Sequence, residues 1–234
     1  MSGASVESAV SRARLGRPRH TRAQACAEMS PREQILDAAA ALFVAYGFAA
    51  TSTRMIAERV GIRQASLYYH FSGKDALLVE LLCTSVRPSL DAAVAIEALV
   101  PERATAAAAL YRLAAVDVET LADAPHNVGT LYLLPETQHE RYDDFRAERR
   151  QLQEAYGRLG FRAADGDVLA RMTSTQLGEL LIQAAEVVIQ IRRVREPAAA
   201  DADAIATSCL RLCGLKRDAI NEARSAATDL GALV

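Results

Sequence analysis

Residues 51–78 read TSTRMIAERVGIRQASLYYHFSGKDALL. Thr51 and Ser52 offer hydroxyls that can cap a helix start. Met55, Ile56 and Val60 follow at helical spacing and give one apolar stripe over about two turns. Gly61 stands where the chain must reverse, since glycine takes a left-handed φ without a Cβ penalty. A second short helix is predicted over Arg63 to His70, with Leu67 and Phe71 facing inward. Gln64, Ala65, Ser66, Tyr68 and Tyr69 are left on its outer faces. Ser72 and Asp75 resemble a capping box that opens a further helix at Lys74.

Upstream, Ser30-Pro-Arg-Glu33 is a cleaner helix start. Ser30 can cap, Pro31 suits the first helical position, and Glu33 can reach back to the Ser30 amide. That helix should run to Tyr46 and stop at Gly47. The helices Pro31 to Tyr46, Ser52 to Arg59 and Arg63 to His70 can share a core of Ile35, Phe43, Ile56, Val60, Leu67 and Phe71. So small a unit buries little alone, so the helix from Lys74 is expected to brace it. The layout is a helix-turn-helix, whose second helix enters the major groove of DNA.

The segments ILDAAAALFVAYGF, TSTRMIAERVGI and SLYYHFSGKDALL, all within Pro31 to Leu82, resemble the TetR family of one-component transcriptional repressors. The resemblance covers about the first third of the chain. It implies an all-α fold: a three-helix DNA-binding domain over residues 30–73, then a helical effector-binding and dimerisation domain over residues 74–234. Residues 1–29 would be a basic arm, disordered in the free protein.

The same resemblance implies roles for individual residues. Thr51, Ser52 and Thr53 match positions that bind backbone phosphates, which their hydroxyls and free amides suit. Arg54 matches a position that reaches a base edge, where a guanidinium reads guanine. Gln64 opens the recognition helix and suits adenine or a neighbouring base. Ala65 and Ser66 are small enough for close approach, and Ala65 can pack on a thymine methyl. Tyr69 matches an exposed aromatic, Tyr68 and His70 suit phosphate contacts, and Lys74 adds a charge at the next helix start. Blander readings stand beside these. Tyr68 can be core with only its hydroxyl at the surface. His70 can bond within the domain, and Thr51 to Thr53 can do no more than cap. Arg54 can pair with Glu58, a contact of only ~0.3–0.5 kcal/mol that DNA would displace easily.

Charge supports the division. Residues 1–78 carry ten Lys and Arg against six Asp and Glu, and the remainder carries 17 against 23. A chain of net charge −2 therefore has a basic N-terminal end. Arg12, Arg14, Arg17, Arg19 and Arg22 come without an acid among them; such an arm suits an adjacent minor groove or serves as a solvated tail. No apolar run reaches the ~18 residues of a membrane span, and the arginine-rich start has no apolar core of a secretion signal. Cys26, Cys83, Cys209 and Cys213 lack metal-site spacing, so a reducing cytoplasm is expected, with neither metal nor cofactor.

Beyond Lys74 the pattern predicts a helix that meets Arg87-Pro88 and either kinks there or continues to Leu99, then helices over 101–121, 124–134 and 136–159, a loop over 160–166, and a helix from Asp167 to Arg195. Helices over 201–215 and 216–230 follow. On the 167–195 segment Leu169, Thr173, Leu177, Leu180, Ala184, Val188, Ile191 and Val194 form one seam; on the next, Ala202, Ile205, Cys209 and Leu212 or Cys213 do likewise. The resemblance implies that these helices pair with those of a second copy in a four-helix bundle, with Leu177, Leu180, Ala184, Val188, Ile191, Ile205, Cys209 and Leu212 at the interface. The seams alone equally allow burial within one chain. The resemblance also implies a small-molecule pocket, for which Tyr111, Leu131, Tyr132, Leu134, Phe145 and Met172 are candidates alongside plain core. Gln176 and Glu179 are the polar handles if they turn inward.

The expected partners are thus a double-stranded DNA operator, a small-molecule effector and a second copy of the chain, with no membrane. A rival is an effector-independent DNA-binding regulator or activator on the same scaffold; a solid core near Tyr132 and Phe145 would favour it. An enzyme is not expected, because nucleophile-elbow, P-loop, zinc-protease and Rossmann patterns are absent from the sequence.

Overall fold

The computed structural model describes residues 29–100 and 105–230. The basic arm expected over residues 1–29 lies outside them except for Met29, as does Pro101. Among the described residues the chain is all-α. The helices are α1 (Pro31–Tyr46), α2 (Thr53–Val60), α3 (Gln64–His70), α4 (Lys74–Leu99), α5 (Ala106–Asp123), α6 (Asp143–Ala163), the single turn α7 (Gly166–Leu169), α8 (Ser174–Val194), α9 (Ala199–Leu212) and α10 (Arg217–Leu230). No helix among them is long and apolar enough to cross a membrane.

The head, α1 to α3, forms for the reasons its sequence gives. Ser30 and Glu33 make the reciprocal capping box on α1. Gly61 takes φ 81°, ψ 28° at the end of α2, and its N–H closes the last turn. Ile35, Phe43, Ile56 and Leu67 are fully buried at the centre, while Val60 packs on its edge. α4 then runs unbroken through Pro88 to Leu99 and packs on both head and body. Its start corrects one expectation. Gly73, not Ser72, is the capping residue, and no side chain caps it.

The body is built on α4, α5, α6 and α8. The loop expected over 160–166 shrinks to Ala164 and Asp165, because α6 continues to Ala163 and the turn α7 begins at Gly166. The reason is close packing rather than a turn. A Cβ on Gly157 would stand 2.5 Å from the Ser174 carbonyl oxygen, and one on Gly178 would stand 2.5 Å from that of Gln153. Gly160 likewise makes room for Leu181. These glycines let the backbones of α6 and α8 touch. The helix expected from Asp167 starts later, at Ser174, under a capping box of Thr173 and Gln176; Asp165 caps the separate turn α7. In place of a helix over 124–134 and a helix start at Glu136 there are short 3-10 turns, Val128–Leu131, Pro135–Gln138 and Glu140–Tyr142.

One charge is sealed in this core. Asp117 is almost wholly buried and accepts from the Tyr156 hydroxyl at 2.8 Å. Burial pushes its carboxyl up to about 6. Cys83, Cys209 and Cys213 are buried free thiols. Burial lifts Cys83 to about 11 and the other two to about 12, which leaves them protonated and inert.

Candidate nucleic-acid interface

The outward surface of α2 and α3 is a small, ordered array of polar side chains. Ser52 caps α2 by accepting from the Met55 amide at 3.2 Å. Gln64 donates from Nε2 to Thr53 Oγ1 at 2.9 Å, and Thr53 Oγ1 lies 3.2 Å from the Tyr68 hydroxyl. The turn at Gly61 thus brings the starts of both helices into one hydrogen-bonded set. Leu67, fully buried, anchors α3 from below. Ala65 and Ser66 are exposed. Tyr69 projects furthest, 87 % exposed, with its ring edge against His70 at 5.2 Å between centroids. Tyr68 is 50 % exposed, so it belongs to the surface rather than to the core. Arg54 is exposed and pairs with Glu58 at 2.8 Å, a contact that costs little to exchange.

Two expected contact residues are engaged inside the head. Thr51 is buried, and its hydroxyl donates to the carbonyls of Gly47 at 2.8 Å and Leu42 at 3.3 Å. Its side chain ties the end of α1 to the start of α2. Lys74 sits over the Phe48 ring, 4.4 Å from the centroid, and donates to the carbonyls of Phe48, Ala49 and Thr51 at 3.1–3.4 Å. Its ammonium clamps the α1–α2 connection instead of standing free. One residue went unassigned in the sequence. Arg63, the residue just ahead of α3, is exposed beside Gln64 with its side chain off the helix cap. A lone arginine immediately before a recognition helix was the signal.

The residues proposed for an effector do not converge. Leu131, Tyr132 and Phe145 are buried, the two rings 5.4 Å apart, and the Tyr132 hydroxyl meets Ser85 Oγ at 2.9 Å. Leu134 and Met172 are partly buried in the same core. Tyr111 instead donates to Asp203 at 2.5 Å, toward α9. Gln176 is taken up in the α8 cap, and Glu179 is exposed. None of these lines the groove of about 420 Å3 between α1, α4, the end of α5 and the loop after it.

The dimer seam also needs correction. Leu177, Val188 and Cys209 are fully buried within the chain, and Ile205 nearly so; they face their own core. The line that reaches solvent on α8 is Leu180, Ala184, Val187, Ile191 and Val194, at alternating spacings of four and three. Leu212 on α9 is also exposed. The expected seam joins two adjacent faces of one helix, one buried and one open to solvent.

The family model described as "Bacterial regulatory proteins, tetR family" matches residues 35–81. AmtR of Mycobacterium smegmatis is similar over nearly its whole length: its crystal structure is 35 % identical, with 87 % of this chain and 96 % of that one covered, at a TM-score of 0.75. The chain belongs to the tetR family. Other members extend the likeness. PfmR from Thermus thermophilus is 27 % identical, covering 81 % of this chain and 99 % of that one at a TM-score of 0.62. The HTH-type transcriptional repressor KstR2 of Rhodococcus jostii (strain RHA1) is 45 % identical over 51 residues, 22 % of this chain and only 25 % of that repressor. The family assignment makes the α2–α3 array a helix-turn-helix of the DNA-binding kind.

Proposed function

We propose that the chain works as a symmetric homodimeric repressor that grips a palindromic operator and lets go when a small molecule binds. The observation that carries this is the outward array on α3: Gln64, Ser66, Tyr68 and Tyr69 exposed above a buried Leu67. Phosphate contacts then fall to Ser52, Thr53 and Arg63, and base contacts to Gln64 and Arg54. Two copies paired through the solvent-facing line on α8 would set their α3 helices for successive major grooves, ~34–36 Å apart. The relative named as a transcriptional repressor, similar in the head, supports repression. On this reading the protein is a binder rather than an enzyme, and it works in the cytoplasm.

A selection of bound duplex fragments, repeated with a metabolite library, tests the proposal. Gln64→Ala and Tyr69→Ala should each weaken the selected duplex by about tenfold, from ~1–3 kcal/mol per lost contact, with dimerisation intact by sedimentation. Unchanged affinity would remove α3 from the reading surface. A second reading, a regulator on the same scaffold that needs no effector, is favoured by the burial of Tyr132 and Phe145, whose rings lie 5.4 Å apart where a pocket is expected.

A further inference from the structure

Three side chains on the outward face of the head share one row of hydrogen bonds, with Thr53 in the middle. Gln64 Nε2 donates to Thr53 Oγ1 at 2.9 Å, and Thr53 Oγ1 lies 3.2 Å from the Tyr68 hydroxyl. Thr53 opens α2 and Gln64 opens α3. Their backbones are fixed from beneath: Ile56 and Leu67 are fully buried, and Gly61 ends α2 in the left-handed region. Thr53 is half-buried where Gln64 and Tyr68 are exposed. It is also branched at Cβ, so its hydroxyl has few positions to occupy. The short, stiff member of the row therefore sets the place of the two longer ones.

A threonine hydroxyl has one proton and two lone pairs. Whether Thr53 donates to Tyr68 or accepts from it, a lone pair remains for the Gln64 N–H. The contact of Thr53 with phosphate then falls to its amide, which the first turn of α2 leaves free. Gln64 carries two N–H donors and one carbonyl. Thr53 can only accept in this bond, so the NH2 end of the amide faces it. One N–H and the carbonyl oxygen are left outward, a donor beside an acceptor.

Adenine matches that pair and guanine does not. In the major groove adenine offers N7 as acceptor and N6–H as donor, whereas guanine offers two acceptors, N7 and O6. A glutamine free to turn could point its NH2 at both of guanine's acceptors. With one N–H committed to Thr53, Gln64 would set its carbonyl against O6, acceptor to acceptor. The threonine thus works against the wrong base as well as for the right one.

We infer that Thr53 is a positioning residue: by holding the Gln64 amide in one orientation, it selects adenine over guanine at the base pair that Gln64 meets. This rests on the operator-binding reading proposed above and adds to it the residue that sets the choice of base.

The test uses the full chain and the duplex it selects. The position whose base preference disappears in Gln64→Ala marks the contact. There the native chain should favour adenine over guanine by about tenfold or more, the scale of a bidentate pair. Thr53→Val keeps the shape, removes the hydroxyl and should bring the two bases to near parity. Thr53→Ala is the second variant should valine disturb α2, with helicity checked by circular dichroism. Thr53→Ser returns the hydroxyl and should restore the preference. An adenine-to-guanine ratio unchanged in Thr53→Val and Thr53→Ala, with both duplexes weakened alike, would make Thr53 a phosphate contact only and overturn the inference. So would a preference that serine does not restore, a native preference for guanine at that position, or no position lost in Gln64→Ala. A native chain that selects no duplex at all overturns the operator-binding reading itself.

Discussion

Helices α3 and α8 both carry large side chains into solvent, and they do so with opposite chemistry. α3 shows Tyr69, Tyr68 and Gln64, each with a polar atom for water to meet. α8 shows Leu180 at 47 %, Val187 at 43 % and Val194 at 88 % exposure, with none. Apolar area left in water forgoes about 25 cal/mol per Å2 of burial, so the second face favours a like face over solvent. The first gains nothing by collapsing on itself and stays available to a polar partner. Exposure alone therefore names no partner; the exposed atoms do.

The comparison can be broken most sharply on α8. Leu180→Asp with Val187→Asp should split the dimer in sedimentation and cut duplex affinity by about a hundredfold, roughly 2.7 kcal/mol, with helicity by circular dichroism retained. A dimer that survives would show that this face is idle. Leu177→Ala probes the neighbouring, inward face of the same helix. It should cost ~2–5 kcal/mol of unfolding stability in urea while the dimer persists. The smallest effect belongs to the head. Lys74→Ala should lower stability by about 1 kcal/mol, the scale of a lost hydrogen bond, and leave the salt dependence of duplex binding unchanged. A flatter salt slope would instead mark Lys74 as a phosphate contact.

The same contrast explains what could be read from residues alone. On α2 and α3, polar positions alternate with apolar ones at helical spacing, so Leu67 and Tyr69 separate by side. Gly61 and the Ser30 box mark the ends without tertiary help. On α8, Leu177, Leu180, Leu181 and Val188 are all aliphatic, and periodicity cannot distinguish a core face from a partner face. Gly160 read as a loop because a glycine demanded by a neighbouring helix carries the same letter as one demanded by a turn. Thr51 and Lys74 looked like DNA ligands because their bonds run to backbone carbonyls, whose positions no side-chain pattern records. The groove was missed because its walls come from distant stretches, α1, α4 and the loop near His126.

Asp117 carries a final consequence. Its carboxyl sits at about 6 in the folded chain, against ~3.9 when unfolded. Between those values the folded form holds a proton that the unfolded form has released, so folding near about pH 5 draws acid out of the buffer. A raised carboxyl value fixes the sign: this group's contribution is most favourable below about pH 4, falls as the medium is made less acid, and levels off above about pH 6. Asp201, held down to about 2 chiefly by Arg195, pulls the other way in stronger acid. Subtracting the urea stability profile of Asp117→Asn from that of the native chain should isolate the downward slope, and a flat difference would mean the interior proton is not there.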